Sequence, residues 1–276
     1  MNQEVFAAVA DALERGEMAA LVTVVATTGS TPQRVGAKML VFADGRIVGT
    51  IGGGCYENDA FWKAREAITH RRPQIVHYEL SDDFAQETGL ICGGQMDVYI
   101  EPVEPSPELY VVGAGHVGLH LARLAHEVGF RVHVVDDREK FSNRERFPTA
   151  AEIVVEDIPA WIERTIIPPH AYVVVVTRGH TNDLEALRAL APRDLRYLGL
   201  IGSRAKVVRI YEALTGDGMP ADSLRNVHAP IGLDIGAVTP QEIAVSILAE
   251  LIAVKHGKVK SRDAAELSMR WNNLKT

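Results

Sequence analysis

The sequence predicts an α/β protein: a C-terminal Rossmann-like parallel sheet domain preceded by a smaller N-terminal mixed α/β domain. Three observations predict it. Gly113-Ala-Gly115-His-Val-Gly118 follows the apolar run Leu109 to Val112 and opens a helical stretch, and a strand, a glycine-rich turn and a helix in that order begin a dinucleotide-binding unit. Beyond this point apolar strands alternate with helical stretches, the pattern of βαβ units in a parallel sheet. Upstream, Pro102, Pro105 and Pro107 crowd residues 101–108, where fixed φ angles and missing backbone donors work against a regular element. The expected organisation is therefore an N-terminal domain over 1–101, a linker over 102–108, a Rossmann-like domain over 109–257 and a polar tail over 258–276.

The elements follow in order. Val5, Val9 and Leu13 are spaced four apart and Gly16 follows them, so a helix runs over Glu4 to Glu14 with glycine at its end. The Val-rich run Leu21 to Ala26 reads as a buried strand, and Lys38 to Phe42 with Arg46 to Thr50 flank Asp44-Gly45, a dipeptide that favours a tight hairpin. Glu57 to Arg71 is helical and stops before Pro73, and Gln74 to Leu80 and Met96 to Glu101 are strands. In the second domain the strands are Leu109 to Val112, Val132 to Val135, Ile153 to Val155, Tyr172 to Thr177 and Tyr197 to Ile201. Thr239-Pro-Gln-Glu242 is a capping box with proline at the first helical position, and Ile243, Ile247, Leu248 and Leu251 supply the buried stripe of the helix it opens.

Composition narrows the function classes. Of 276 residues, 47% are hydrophobic and 24% charged, which fits a folded globular chain and excludes disorder or low-complexity architecture. Lys and Arg number 29 against 36 Asp and Glu, a net charge of -7, so a nucleic-acid partner is not expected. Glu4, Asp11, Glu14 and Glu17 interrupt the first twenty residues, which argues against a secretory leader. The apolar stretch Ala171 to Val176 is far short of the roughly 20 residues of a spanning helix, so no membrane association and a cytoplasmic location are expected. Two cysteines, Cys55 and Cys92, are too few for a disulfide framework and point to chemistry or packing.

In the second domain, Gly113 permits the tight turn, Gly115 lets backbone approach a pyrophosphate, and Gly118 lets helix and strand pack closely. Asp136 ends the second strand, 18 residues after Gly118, where a carboxylate accepts hydrogen bonds from ribose hydroxyls. Thr177-Arg178-Gly-His180 and Gly202-Ser203-Arg-Ala-Lys206 end two further strands and face the same crevice. Ser203 is better read as a helix cap than as a nucleophile. His116 and His120 share a helix face, but His116 lies in the phosphate loop and no third metal ligand accompanies them. After the fifth strand one long helix dominates the remaining chain, so any chemistry is expected to involve the N-terminal domain.

There, Thr27 to Lys38 is a long polar loop offering Ser30, Thr31, Arg34 and Lys38, suited to an anionic ligand. Gly52-Gly53-Gly54-Cys55 follows a strand and precedes the helix carrying Glu57, which puts Cys55 near a helix N-terminus, where the dipole favours thiolate. Cys92-Gly93-Gly94 precedes another strand. Glycines beside a cysteine let a ligand approach the sulfur and leave backbone N–H groups for anions. Two readings stand side by side: a pair of small buried side chains, or a ligand-binding or sulfur-handling pair.

Gly29-Ser-Thr-Pro-x-Arg34, Gly36-Ala-Lys-Met39, Gly49-Thr-Ile-Gly-Gly-Gly-Cys55-x-Glu57, Cys92-Gly-Gly94, Gly113-Ala-Gly-His-Val-Gly118, Val135-Asp-Asp-Arg138, Thr177-Arg-Gly-His180, Ile201-Gly-Ser-Arg-x-Lys206 and Pro230-Ile-Gly-Leu-Asp-Ile-Gly236 together resemble the XdhC/CoxI family of xanthine dehydrogenase accessory proteins. The resemblance runs from about Thr27 to His256, and Tyr56 stands where the family often has a smaller apolar residue. It implies a chaperone that binds molybdenum cofactor (molybdopterin), supports its sulfuration with a cysteine desulfurase, and inserts it into a molybdenum hydroxylase apoenzyme such as xanthine dehydrogenase. Cys55 is then the residue that touches molybdenum or its exchangeable sulfur, since thiolates are soft ligands. The competing class is an NAD(P)-dependent oxidoreductase or nucleotide-sensing Rossmann protein. A homodimer is expected, because a small domain on a proline-rich linker leaves a crevice between domains open to water.

Overall fold

The computed structural model describes residues 2–79 and 94–258. The chain forms two compact units, Met1–Ser106 and Pro107–Thr276. In the first, α1 (Asn2–Arg15), β1 (Ala19–Thr28), β2 (Lys38–Phe42), β3 (Ile47–Gly49), α2 (Cys55–His70), β4 (Gln74–Glu79) and β5 (Gln95–Val103) follow one another. The sheet is antiparallel throughout, in the order β3-β2-β1-β5-β4. Pleating sends Ala19, Leu21, Leu40 and Phe42 to one face, against Val5 and Ala12 of α1. Ala20, Val22, Val24, Met39 and Val41 face the other way, against Ala60, Ala64 and Ala67 of α2. That alanine stripe lets the helix approach closely, and Arg71 in the left-handed conformation ends it before Pro73.

Two boundaries differ from those expected. α2 begins at Cys55 rather than Glu57. β5 runs on through Pro102 to Val103, so the proline-rich stretch is partly a strand. Pro102 is tolerated because β4 pairs with β5 only as far as Ile100, which leaves one side of the strand bare at that point.

The second unit comprises β6 (Glu108–Val112), α3 (His116–Glu127), β7 (Arg131–Asp136), β8 (Glu152–Val155), α4 (Ile158–Arg164), β9 (Tyr172–Val175), α5 (His180–Leu190), β10 (Tyr197–Leu200), α6 (Arg204–Gly216), α7 (Ala221–Leu224), β11 (Val227–His228) and α8 (Pro240–Lys255). All its strands are parallel, in the order β8-β7-β6-β9-β10-β11, which is the 3-2-1-4-5-6 arrangement of dinucleotide-binding folds. Leu109, Val111, Leu121 and Ile247 build the core on the α3 and α8 face. Tyr110, Val112, Trp161, Leu187 and Ile210 build the other, under α4, α5 and α6. No helix among the described residues is long and apolar enough to cross a membrane.

α8 carries one charge into this core. Glu250 is fully buried and accepts hydrogen bonds from Tyr197 Oη at 2.6 Å, Gly232 N at 2.8 Å and His228 Nδ1 at 2.8 Å. Burial pushes its carboxyl up, but these partners outweigh it and hold it below its ordinary value. The capping box at Thr239 and Glu242 is formed.

Candidate functional site

In the first unit the loop between β3 and α2 is a run of three left-handed glycines, Gly52, Gly53 and Gly54, with φ of 127°, 78° and 82°. That backbone excludes other residues at low cost and turns one hydroxyl and three N–H groups toward α2. They meet Glu57. Its Oε2 accepts from Thr50 Oγ1 at 2.5 Å, Ile51 N at 2.9 Å, Gly53 N at 3.0 Å and Gly52 N at 3.2 Å. Burial raises the Glu57 carboxyl, and the bonds from Thr50 and the three backbone donors outweigh that and hold it below its ordinary value. The expectation that these glycine N–H groups stand open for a ligand is therefore corrected, because Gly52 and Gly53 spend theirs on the chain's own carboxylate. Glu57 shapes the loop, and the loop presents Gly54 and Cys55. Cys55 is a free, half-buried thiol on the first residue of α2.

Glycines also bring the separate motifs together. A Cβ on Gly52 would lie 3.0 Å from Pro32 and would overlap the Tyr56 hydroxyl, so the Thr27 to Lys38 loop packs on the glycine triplet. A Cβ on Gly94 would lie 2.6 Å from the Thr28 carbonyl oxygen and would overlap that of Ser30, so the start of β5 packs on the same loop. Tyr56 thus fills the space over Gly52 and stacks obliquely on Tyr78, with ring centres 6.1 Å apart. Of the loop's expected ligands, Ser30 and Arg34 are exposed, and Thr31 Oγ1 donates to the Gln33 carbonyl at 2.8 Å. Lys38 Nζ donates to Thr23 Oγ1 at 2.9 Å. Cys92 and Gly93 lie outside the described residues.

In the second unit, Gly113 has φ of 116°, and a Cβ there would be 2.5 Å from the Val176 carbonyl oxygen, so it seats the turn against the end of β9. A Cβ on Gly118 would overlap the Gly113 carbonyl oxygen, whereas one on Gly115 would meet nothing within 4 Å. No protein atom demands glycine at 115, where a phosphate would meet the N-terminus of α3, and His116 is exposed at that end.

The expected ribose contact does not fit. Asp136 is only 1% exposed, and both its oxygens are saturated. Oδ2 accepts from Ala114 N at 2.7 Å and Arg138 Nη2 at 2.8 Å, and Oδ1 from Arg138 Nε at 2.8 Å and Arg138 N at 3.0 Å. With two bonds on each oxygen and almost no exposed surface, the carboxylate is closed to a ribose hydroxyl. Asp136 therefore positions Arg138 and the glycine turn, a correction to its assignment as the ribose ligand. Spacing alone gives Arg138 no role, because residues 136–146 mix four basic side chains, Arg138, Lys140, Arg144 and Arg146, with four acidic ones and show no net charge.

Asp136, Asp137, Arg138, Ile158, Thr177, Arg178 and Asn182 line one cavity of about 20 Å³ at the strand ends, room for about one water. Ser203 caps α6 by accepting from Lys206 N at 3.3 Å. Lys206 Nζ is ion-paired to the buried Asp183, which also accepts from Thr177 Oγ1 at 2.6 Å, so Ser203 and Lys206 have intramolecular partners. His180 opens α5. Among the described residues no group of three or more His, Cys, Asp or Glu side chains is placed to hold a metal ion.

Residues 109–251 match the XdhC Rossmann domain, and residues 12–79 match the XdhC and CoxI family. The chain is 39% identical over 238 residues to the uncharacterised protein YqeB of Escherichia coli, covering 86% of this chain but 43% of that protein. It is thus similar to less than half of that relative's length. It is 26% identical to a probable xanthine dehydrogenase subunit of Bacillus subtilis, covering 88% of this chain and 95% of that one. It is also 26% identical to the molybdenum cofactor insertion chaperone PaoD of Escherichia coli, covering 89% and 86%. A crystal structure of a xanthine dehydrogenase from Bacillus halodurans superposes with a TM-score of 0.51 at 24% identity, covering 94% of this chain and 97% of that one, a likeness of fold. With both of its units matched, the chain belongs to the XdhC and CoxI family.

Proposed function

We propose that this chain is an accessory chaperone that binds molybdenum cofactor, supports its sulfuration together with a cysteine desulfurase, and inserts it into a molybdenum hydroxylase of the xanthine dehydrogenase type. The observation that carries the reading is the junction in the first unit, where the glycine triplet ending at Cys55 packs on Pro32 and the start of β5 packs on Ser30. Segments distant in sequence meet there, three residues before a free thiol. The similarity to PaoD across most of both chains supports the cargo, and that to the Bacillus subtilis protein supports the class of partner. In this reading Cys55 contacts the molybdenum or its sulfur, the Ser30 to Lys38 loop attends the pterin phosphate, and the Rossmann unit holds a nucleotide at Gly113 to Gly118. Two copies associate as a homodimer.

The test is Cys55→Ala. Deleting one sulfur from a half-buried site costs little stability, so the melting temperature should stay within a few degrees while molybdenum carried by anaerobically purified protein falls to background. Unchanged molybdenum content in a folded Cys55→Ala protein removes the thiol from the site.

A further inference from the structure

We propose that Arg138 makes the Rossmann crevice selective for a nucleotide bearing an extra phosphate monoester on its adenosine ribose. The inference rests on the nucleotide part of the reading above and assigns to it a residue and a ligand class. A guanidinium has five N–H donors in a planar fork. Arg138 gives Nε and one Nη2 proton to Asp136, which leaves the opposite edge, Nη1 and the second Nη2 proton, in the geometry that engages a phosphate with two parallel bonds. The Phe141 ring supports the plane, with the guanidinium carbon 4.1 Å from its centre. Arg146 lies 5.3 Å and the Lys140 ammonium 5.5 Å from the same ring centre. The cluster is tied to the phosphate turn at both ends, since Asp136 accepts from Ala114 N and Arg146 Nη2 donates to Ala114 O at 3.2 Å. Asp137 stands 3.6 Å from Arg138 Nε, on the edge already turned to Asp136. Asp136 is closed to a ribose diol, which leaves the half-exposed Asp137 carboxylate as an acceptor, whereas a phosphate finds the preset fork of Arg138.

Calorimetric titration of the full chain with NADP+ and with NAD+ at one ionic strength tests this. NADP+ should bind at least about tenfold more tightly, the effect of a charge-assisted pair of hydrogen bonds. Arg138→Leu should abolish that preference through loss of NADP+ affinity, and because it also removes two of the four bonds on Asp136, NAD+ affinity should hold or rise. Arg138→Lys keeps the charge beside Asp136 and loses the fork, so it should stay folded by melting temperature and lose most of the preference. Equal binding of the two dinucleotides by the parent protein, or a preference that survives Arg138→Lys, overturns the assignment and leaves nucleotide binding standing. Binding of neither overturns the assignment and the nucleotide reading together, without touching the cargo site at Cys55.

Discussion

Two glycine-rich turns in this chain each lead from a strand into a helix, and each is tied to a carboxylate, yet they are built to opposite ends. At Gly52 to Gly54 the carboxylate is internal: Glu57 reaches back from α2 and gathers four donors on one oxygen. The turn is filled by its own chain and carries the thiol beside it. At Gly113 to Gly118 the carboxylate arrives from the next strand and takes a single N–H of the turn, that of Ala114. Its remaining capacity goes to Arg138, and the helix N-terminus at Gly115 stays open. The same local grammar thus gives a self-satisfied support in one unit and a turn with an uncovered helix N-terminus in the other. A glycine-rich motif says that backbone must bend or approach closely; which group fills the bend decides what it does.

Three substitutions break or sharpen that contrast. The largest effect belongs to Gly118→Ala, whose Cβ would overlap the Gly113 carbonyl oxygen; it should cost the second unit about 3 kcal/mol, well beyond the roughly 1 kcal/mol that alanine gains in a helix. Denaturant unfolding checks it. Glu57→Gln comes next, at about 2 kcal/mol, because it weakens charge-assisted bonds to donors that then lack a strong acceptor. Since the folded Glu57 carboxyl lies below its ordinary value of 4.5, its stabilisation is complete above that value and is lost as pH falls through the depressed one. The parent should therefore lose stability below about pH 4.5 more steeply than Glu57→Gln, in paired melting curves from pH 7 to pH 3. Gly115→Ala is the smallest in stability, within about 0.5 kcal/mol, because its Cβ enters open space. It should still weaken nucleotide binding by about tenfold or more, the opposite profile to Gly118→Ala.

Much of the fold was legible because its signals are local. The hairpin at Asp44-Gly45, the Val-rich strands, the capping box at Thr239 and the strand, turn and helix around Gly113 each announce themselves within a dozen residues. Pro102 misled because its effect depends on whether a neighbour strand needs its missing N–H, and the register of β4 is not written near it. At the sites, Ser203 as a cap was readable from its position before α6. The saturation of Asp136 was not, since spacing predicts where a carboxylate lies and not how many donors surround it. Glu250 was equally hidden: its three partners sit 18 to 53 residues upstream, and nothing in the helix sequence foretells them.

That buried carboxylate also bears on the order in which the chain is made. Synthesis delivers β10, β11 and the Gly232 turn before α8, so the Tyr197 hydroxyl, the His228 ring and the Gly232 N–H exist for a time without the acceptor that satisfies them. A nascent second unit lacking α8 leaves Tyr172, Phe130 and the α3 side of its sheet without their apolar cover as well. The glycine turn at Gly113 to Gly118, read out early between β6 and α3, therefore gains a finished fold beneath it only when the last helix docks.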